Sequence, residues 1–269
     1  MIYNMFQESP DISLPPVCKK YGRNIYYYLF IMCIVIIKRS LNPDYSFFIG
    51  MNRDEKYSKH WDEINSHWVS YPDIIGYRDH DSGGTWFGYN GDLTAILINR
   101  ESIYFENLRS RSKIVLKTLQ NAKNIFAAIN NILDEDTKYY KPFNLVILDN
   151  KDIVLATNYY DNDVNSRVNV THIIDDLTLI NRSFPNDLHE KRIKMNIEKF
   201  QRVKEPNPKD NYWDDWEKLL TTECYAEVPE DETCLWLNSK EWGTLMSEII
   251  AIPRKTNQMP IKHRVKTRC

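Results

Sequence analysis

An antiparallel α+β layered sandwich is the fold class that this 269-residue sequence predicts. Three observations carry it. Strand candidates arrive as hairpin pairs. One long stretch, Ser112 to Leu133, has apolar residues at helical spacing. A second helical region then separates the middle strands from the last ones. The resulting order is strands, helix, strands, helix, strands.

Cys33 to Ile37 is apolar and β-branched, Asn42-Pro43-Asp44 signals a turn, and Ser46 to Met51 is apolar again. Cys33–Met51 therefore reads as a hairpin whose second strand ends at Asn52-Arg53-Asp54-Glu55. Residues 56–80 are rich in Tyr, Trp, His and Asp without a period, which predicts a long loop. Gly83-Gly84-Thr85-Trp86-Phe87-Gly88 follows, then a turn at Asn90-Gly91 and a strand from Leu93 to Ile98 ending at Asn99-Arg100. In the stretch 112–133, Val115, Leu119, Ala122, Phe126, Ile129 and Leu133 recur every three or four residues and predict one helix. Phe143–Leu148 and Ile153–Thr157 flank Asp149-Asn150-Lys151-Asp152, a second hairpin. Val170–Ile174 and Leu177–Asn181 are shorter strands. Pro185 can open a helix reaching Phe200, and a short helix covers Tyr212–Leu220. Pro206–Pro208 reads as a loop between these helices. Thr233–Leu237 and Met246–Ile252 are late strands. No internal repeat is present.

With 42% hydrophobic and 13% aromatic residues the chain can bury a substantial core. A net charge of −2 gives no global field favouring nucleic acid or a membrane surface. The five cysteines, Cys18, Cys33, Cys224, Cys234 and Cys269, are odd in number and show no CxxC spacing, so neither a zinc knuckle nor a disulfide framework is indicated. A reducing, cytoplasmic setting is expected. The six histidines lack metal-ligand spacing, and no metal or cofactor is expected.

The ends differ from the middle. Ile25 to Ile37 is an apolar run of thirteen residues, short of the ~20 needed for a membrane helix. Lys19, Lys20 and Arg23 precede it as in a signal-peptide n-region, but no small-residue cleavage site follows. A core strand is the preferred reading, with no stable membrane span. Residues 1–31 stand as an N-terminal extension, either non-native, if translation begins at Met32, or removed. Residues 32–253 form the single main domain. Residues 254–269, basic and without an acid, are expected to be a mobile tail.

Candidate chemistry centres on Met32-Cys33. A Cys exposed as the first residue of a chain carries an amine titrating near ~7.7–8 beside a thiol titrating near ~8.5, so it can act as base and nucleophile at once. The competing reading is a buried apolar cysteine in a strand. Arg53 and Asp54 can orient a substrate or the amine, or form a structural ion pair. Asn52 and Trp86 are placed with them as substrate-binding candidates. Gly83-Gly84 can shape an anion site or serve as a tight turn feeding a strand. It is neither a P-loop nor a dinucleotide fingerprint. Asn99 and Asn181 each end a strand, where an amide can donate to an oxyanion or cap a turn. No Gly-x-Ser-x-Gly elbow is present.

Taken together, Met32-Cys33-Ile34-Val35, Asn52-Arg53-Asp54-Glu55, Gly83-Gly84-Thr85-Trp86-Phe87-Gly88, Asn99-Arg100, Ser110-Arg111, Pro142-Phe143-Asn144-Leu145, Leu179 to Asn181 and Trp242-Gly243-Thr244 resemble the NRDE family, which includes the transport-and-Golgi-organisation-2 proteins. These stretches span roughly residues 32 to 253 in family order. The resemblance implies an N-terminal-nucleophile-like fold, a four-layer αββα sandwich of two antiparallel sheets, whose Cys-initiated members are typically amide hydrolases. It implies Cys33 as nucleophile and base, Arg53 and Asp54 as holders of amine and thiol, and Asn99 and Asn181 as oxyanion or amine partners. The sequence departs from the family at three points. Residues precede Cys33 and would cap its amine. Leu245 stands where many members carry Arg, leaving Arg100 or Arg254 to substitute. Ser112 stands where Gly is usual. Two functions are therefore expected as alternatives: a Cys-dependent hydrolase of a small-molecule amide, or a non-catalytic carrier of a hydrophobic ligand such as haem or an acyl group. No signal for an oligomeric state is present.

Overall fold

The computed structural model describes residues 33–100, 108–158, 168–226, 233–255 and 258–268. The extension 1–31 and the part of the apolar run before Cys33 lie outside the described residues. The first hairpin forms as expected: β1 (Ile34–Arg39) pairs antiparallel with β2 (Tyr45–Lys56), in a register that sets Ile34 opposite Asn52. Alternation then sorts the side chains. Val35, Ile37, Phe47, Ile49 and Met51 face a second sheet, while Ile34, Ile36 and Phe48 face helices.

The first sheet runs β10 (Leu177–Ile180), β1, β2, β13 (Trp242–Pro253), β12 (Trp236–Asn238), β11 (Glu223–Tyr225), with β14 (Ile261–Thr267) also on β13. Its pairings are antiparallel except β11 with β12. The second sheet is an antiparallel meander in chain order: β3 (Trp61–Asn65), β4 (Ile75–Asp79), β5 (Phe87–Tyr89), β6 (Thr94–Asn99), β7 (Phe143–Leu148), β8 (Ile153–Thr157) and β9 (Asn169–His172). Helices α1 (Ile114–Leu119) and α2 (Ile125–Leu133) pack on the second sheet. Helices α3 (Lys191–Lys194), α4 (Ile197–Arg202) and α5 (Asp214–Leu220) cover the outer face of the first. The layers are helix, sheet, sheet, helix, an α+β sandwich.

Four expectations change. Residues 56–80 are not one loop, because β3 and β4 pair across a bulge between Asp62 and Asn65 that hides their period. The helix over 112–133 is two helices. Asn121 takes a left-handed φ of 54°, and Asn124 caps α2 by accepting from the Ala127 N–H at 2.9 Å. Asn90 Nδ2 donates to the carbonyls of Leu119 and Ala122, freed where α1 ends. The break rotates the buried face, so Ile125, Ala128 and Ile132 are buried while Phe126 is 76% exposed. The helix from Pro185 starts only at Lys191 and breaks at Asn196, whose amide donates to the carbonyls of Arg192 and Thr233.

The basic tail is not mobile along its length. Residues 261–267 form β14 on β13, with Ile249 opposite His263. No acid lies within the tail, but acids arrive from elsewhere: Arg264 pairs with Glu63 at 2.7 Å, Lys266 with Glu223, and His263 with Glu217. His263 also stacks on Trp213 with ring centroids 4.7 Å apart. No helix among the described residues is long and apolar enough to cross a membrane.

Candidate active site

Cys33 immediately precedes β1 and is half-buried, packed against the core between the sheets. Its Sγ donates to the backbone carbonyl of Asp54 at 3.9 Å. Burial is the main cause that pushes the thiol up to about 11, with the Asp54 carboxylate adding to it and Arg53 pulling the other way. Arg111 joins the same electrostatic cluster. Burial lowers its guanidinium to about 10, while Glu55 and Cys33 favour its charged form.

The tetrad splits across the two faces of β2. Arg53 enters the space between the sheets. Its Cζ lies 3.9 Å from the ring centroid of Trp86 and 5.5 Å from that of Trp61, and its Nη2 is 3.3 Å from Asp79 Oδ2. Trp86 in turn stacks on Tyr77, with centroids 5.0 Å apart and planes 2° apart. Arg53 Nη1 and Trp86 Nε1 are both buried donors without a hydrogen-bond partner among the described residues.

Asp54 turns to the helix side. Its carboxylate accepts from Arg192 Nη1 at 2.5 Å and from Thr244 Oγ1 at 2.6 Å. Burial moves this carboxyl above its ordinary range, with Arg192 opposing that shift. Asp54 therefore meets Cys33 through its backbone carbonyl, while its side chain anchors the strand end. Arg192 also donates to the carbonyls of Cys234 at 3.0 Å and Leu235 at 2.6 Å. It takes the Asp54 charge with Leu245 at the family arginine position. Arg100 is bound instead to Asn144 Oδ1, and Arg254 to the carbonyls of Ser40, Asn42 and Tyr45.

The other candidates are placed differently. Asn52 faces the helix layer, and its Nδ2 donates to Leu220 O at 2.8 Å and Leu235 O at 2.7 Å. Its amide ties β2 to the helix layer on the face opposite Arg53. Gly83 N–H donates to Asp79 O, and Gly83 O accepts from Trp68 Nε1 at 2.7 Å. Gly84 N–H reaches Ser82 Oγ at 3.5 Å. These contacts lie within the turn, in keeping with the tight-turn reading of Gly83-Gly84. Gly83 needs its φ of 65°. A Cβ on Gly84 would fall 2.0 Å from the Ser112 carbonyl oxygen. Gly84→Ala is accordingly expected to cost roughly 1–3 kcal/mol or more by forcing the backbones apart, read as a lower thermal midpoint with unchanged far-UV dichroism. Asn99 ends β6 opposite Phe143 in the second sheet. Asn181 follows β10, and its Nδ2 donates to Glu190 Oε2 at 3.0 Å, so that amide is committed to holding a carboxylate.

The geometry thus gathers Cys33, Arg53, the Asp54 backbone, Glu55 and Arg111. Arg192 and Asp79 were not singled out from the sequence, and Arg111 was named only within the Ser110-Arg111 stretch, without a role at the site. A buried Asp54 without a family arginine demands a cation, and that demand is the signal that could have pointed to Arg192.

Two mainly antiparallel sheets faced by helices form a layered sandwich of the N-terminal-nucleophile hydrolase-like fold, as its likeness to a solved structure shows. A Caenorhabditis elegans N-acylethanolamine-hydrolyzing acid amidase ortholog is similar in structure, with a TM-score of 0.51 and 14% identity over 85% of this chain and 99% of that one. A mutant conjugated bile acid hydrolase from Clostridium perfringens matches with a TM-score of 0.46 and 10% identity over 86% of this chain and 92% of that one. No curated protein matches the sequence. The chain belongs to the transport and Golgi organisation 2 family, whose profile matches residues 32–263.

Proposed function

We propose that the protein, once its chain begins at Cys33, is a cysteine N-terminal-nucleophile hydrolase of a linear small-molecule amide. The observation that carries this reading is the seat of Cys33, at the head of β1 with its thiol on the Asp54 carbonyl and the Arg53 charge beside it. A free α-amine at Cys33 takes the thiol proton. The thiolate attacks the amide carbonyl, the C–N bond breaks as the α-ammonium returns its proton to the departing amine, and water then hydrolyses the thioester to free the acid and the thiol. Arg53 stabilises the thiolate, and its free Nη1 can donate to an oxygen of the substrate. Arg192 and Thr244 fix Asp54, and so fix the carbonyl that positions the thiol. Asn99 remains a proposed oxyanion partner. Linear acyl amides are the substrates to assay first.

The test uses protein beginning at Cys33 and an acyl electrophile such as an activated ester. A thioester label is expected on the wild type and on neither Cys33→Ser nor Cys33→Ala. Undiminished labelling of those variants would sink the reading. With residue 32 still attached, the high thiol pKa sets a different expectation. The iodoacetamide rate at Cys33 should rise about tenfold per pH unit through pH 10 without levelling, because the thiolate is the reacting form. A plateau near pH 9 would contradict the burial described.

The carrier alternative draws on the Trp- and Tyr-rich 57–89 segment. Trp61, Trp86 and Tyr77 are occupied around Arg53. Two surface clefts, one at Tyr71, Ile74, Leu119 and Ala122 and the other at Tyr89, Thr94, Ile252 and Pro253, are not lined by Cys33, Arg53 or Asp54. Binding of haem or an acyl chain, seen as a spectral shift or tryptophan quenching and retained in Cys33→Ala, is what would favour a carrier.

A further inference from the structure

Cys224 and Cys234 are both free and half-buried. The parallel pairing of β11 with β12 sets Cys224 opposite Leu237, while Cys234 lies just before β12. Between the two sulfurs stands Thr233, whose Oγ1 donates to Cys224 Sγ at 3.9 Å and lies 3.7 Å from Cys234 Sγ. One threonine hydroxyl thus lies beside both sulfurs, and burial first, with Cys224 adding to it, raises the Cys234 thiol. No cysteine spacing in the sequence announces this pair.

The backbone around Cys234 is a strap. The carbonyl of Thr233 accepts from Asn196, that of Cys234 from Arg192 Nε, and that of Leu235 from both Arg192 Nη2 and Asn52. The strap therefore holds Arg192 against Asp54. Any covalent change at Cys234 acts on residues that fix the Asp54 end of β2.

We propose that Cys224 and Cys234 form a reversible disulfide on exposure to a hydroperoxide, and that this bond alters the strap that holds Arg192. One thiolate attacks the peroxide O–O bond, giving a sulfenic acid and, after proton transfer, water. The second thiol attacks the sulfenic sulfur, forming the S–S bond and releasing a second water. Two thiols lose two electrons and two protons, and hydrogen peroxide is reduced to two waters. A dithiol reductant returns both electrons. This site does not depend on the hydrolase reading.

The test treats the full chain with hydrogen peroxide, blocks remaining thiols with N-ethylmaleimide, and maps peptides without reduction. A peptide linking Cys224 to Cys234, about 2 Da below the sum of its parts, is expected, reversed by dithiothreitol and absent from Cys224→Ser and Cys234→Ser. Hydrogen exchange at residues 191–194 and 233–235 should change on oxidation of the wild type and not of Cys224→Ser. Recovery of both cysteines alkylated, or as sulfinic acids with no linked peptide, would overturn the proposal. So would a bridge from either one to Cys18, Cys33 or Cys269. A linked peptide with unchanged exchange would overturn the claim on the strap.

Discussion

Arg192→Met is expected to destabilise the fold by about 3–5 kcal/mol, because it leaves the buried Asp54 carboxylate without its cation. Both partners are 1% exposed, and Thr244 alone remains to donate to the carboxylate. Urea denaturation of wild type and variant measures the loss. Adding Asp54→Asn should recover part of it, since the charge is removed along with its partner, whereas additive losses would show that the ion pair is not the cause. The loss should also depend on pH. With Arg192 gone, burial is opposed only by Thr244 and the Arg53 charge, and it holds the folded-state pKa of Asp54 above the unfolded value. The variant is then least impaired below the ordinary carboxylate pKa and loses stability as pH rises through the folded one. A deficit that grew towards acid would contradict this.

Cys33→Ala, in protein beginning at residue 33, is expected to abolish hydrolysis of the cleaved amide, by about 10⁴-fold or more. No other group among the gathered residues combines a nucleophile with an adjacent amine. The substitution leaves a smaller side chain in the same half-buried seat, so the melting curve should barely move. Loss of turnover without loss of fold separates a catalytic Cys33 from the buried strand cysteine that its neighbours in β1 suggest. Arg53→Met should act on another axis. It removes the cation beside the thiol, so the thiolate becomes harder to form and the pH optimum of any turnover moves up.

The first hairpin, the second hairpin and the late strand β13 were legible because their apolar runs are bounded by turn residues, as at Asn42-Pro43-Asp44 and Asp149-Asn150. The layered architecture followed from their order, and its four layers from family resemblance. What stayed hidden depends on partners distant in sequence. The strand at 261–267 reads as a basic tail until Glu63, Glu217 and Glu223 are brought to it. The break at Asn121 is invisible to a periodicity count, since Ala122 and Ile129 keep the helical spacing across it. At the site, Cys33, Arg53 and Asp54 were legible as a motif, but their faces were not. Alternation along β2 sends Arg53 towards Trp86 and sends Asn52 and Asp54 towards the helices. Arg192 comes from a short helix 138 residues beyond its partner in the chain, a separation that local reading does not bridge. That Cys224 and Cys234 share the Thr233 hydroxyl as a neighbour depends on the parallel β11–β12 contact, which no spacing rule supplies.

The most direct measurement is the intact mass of the protein purified from its native host. A mass corresponding to a chain that begins at Cys33, with a free amine detected by N-terminal sequencing, is what a self-activating cysteine nucleophile requires. A mass that retains Met1 or Met32 would leave the amine in a peptide bond and contradict catalysis by Cys33 in that form.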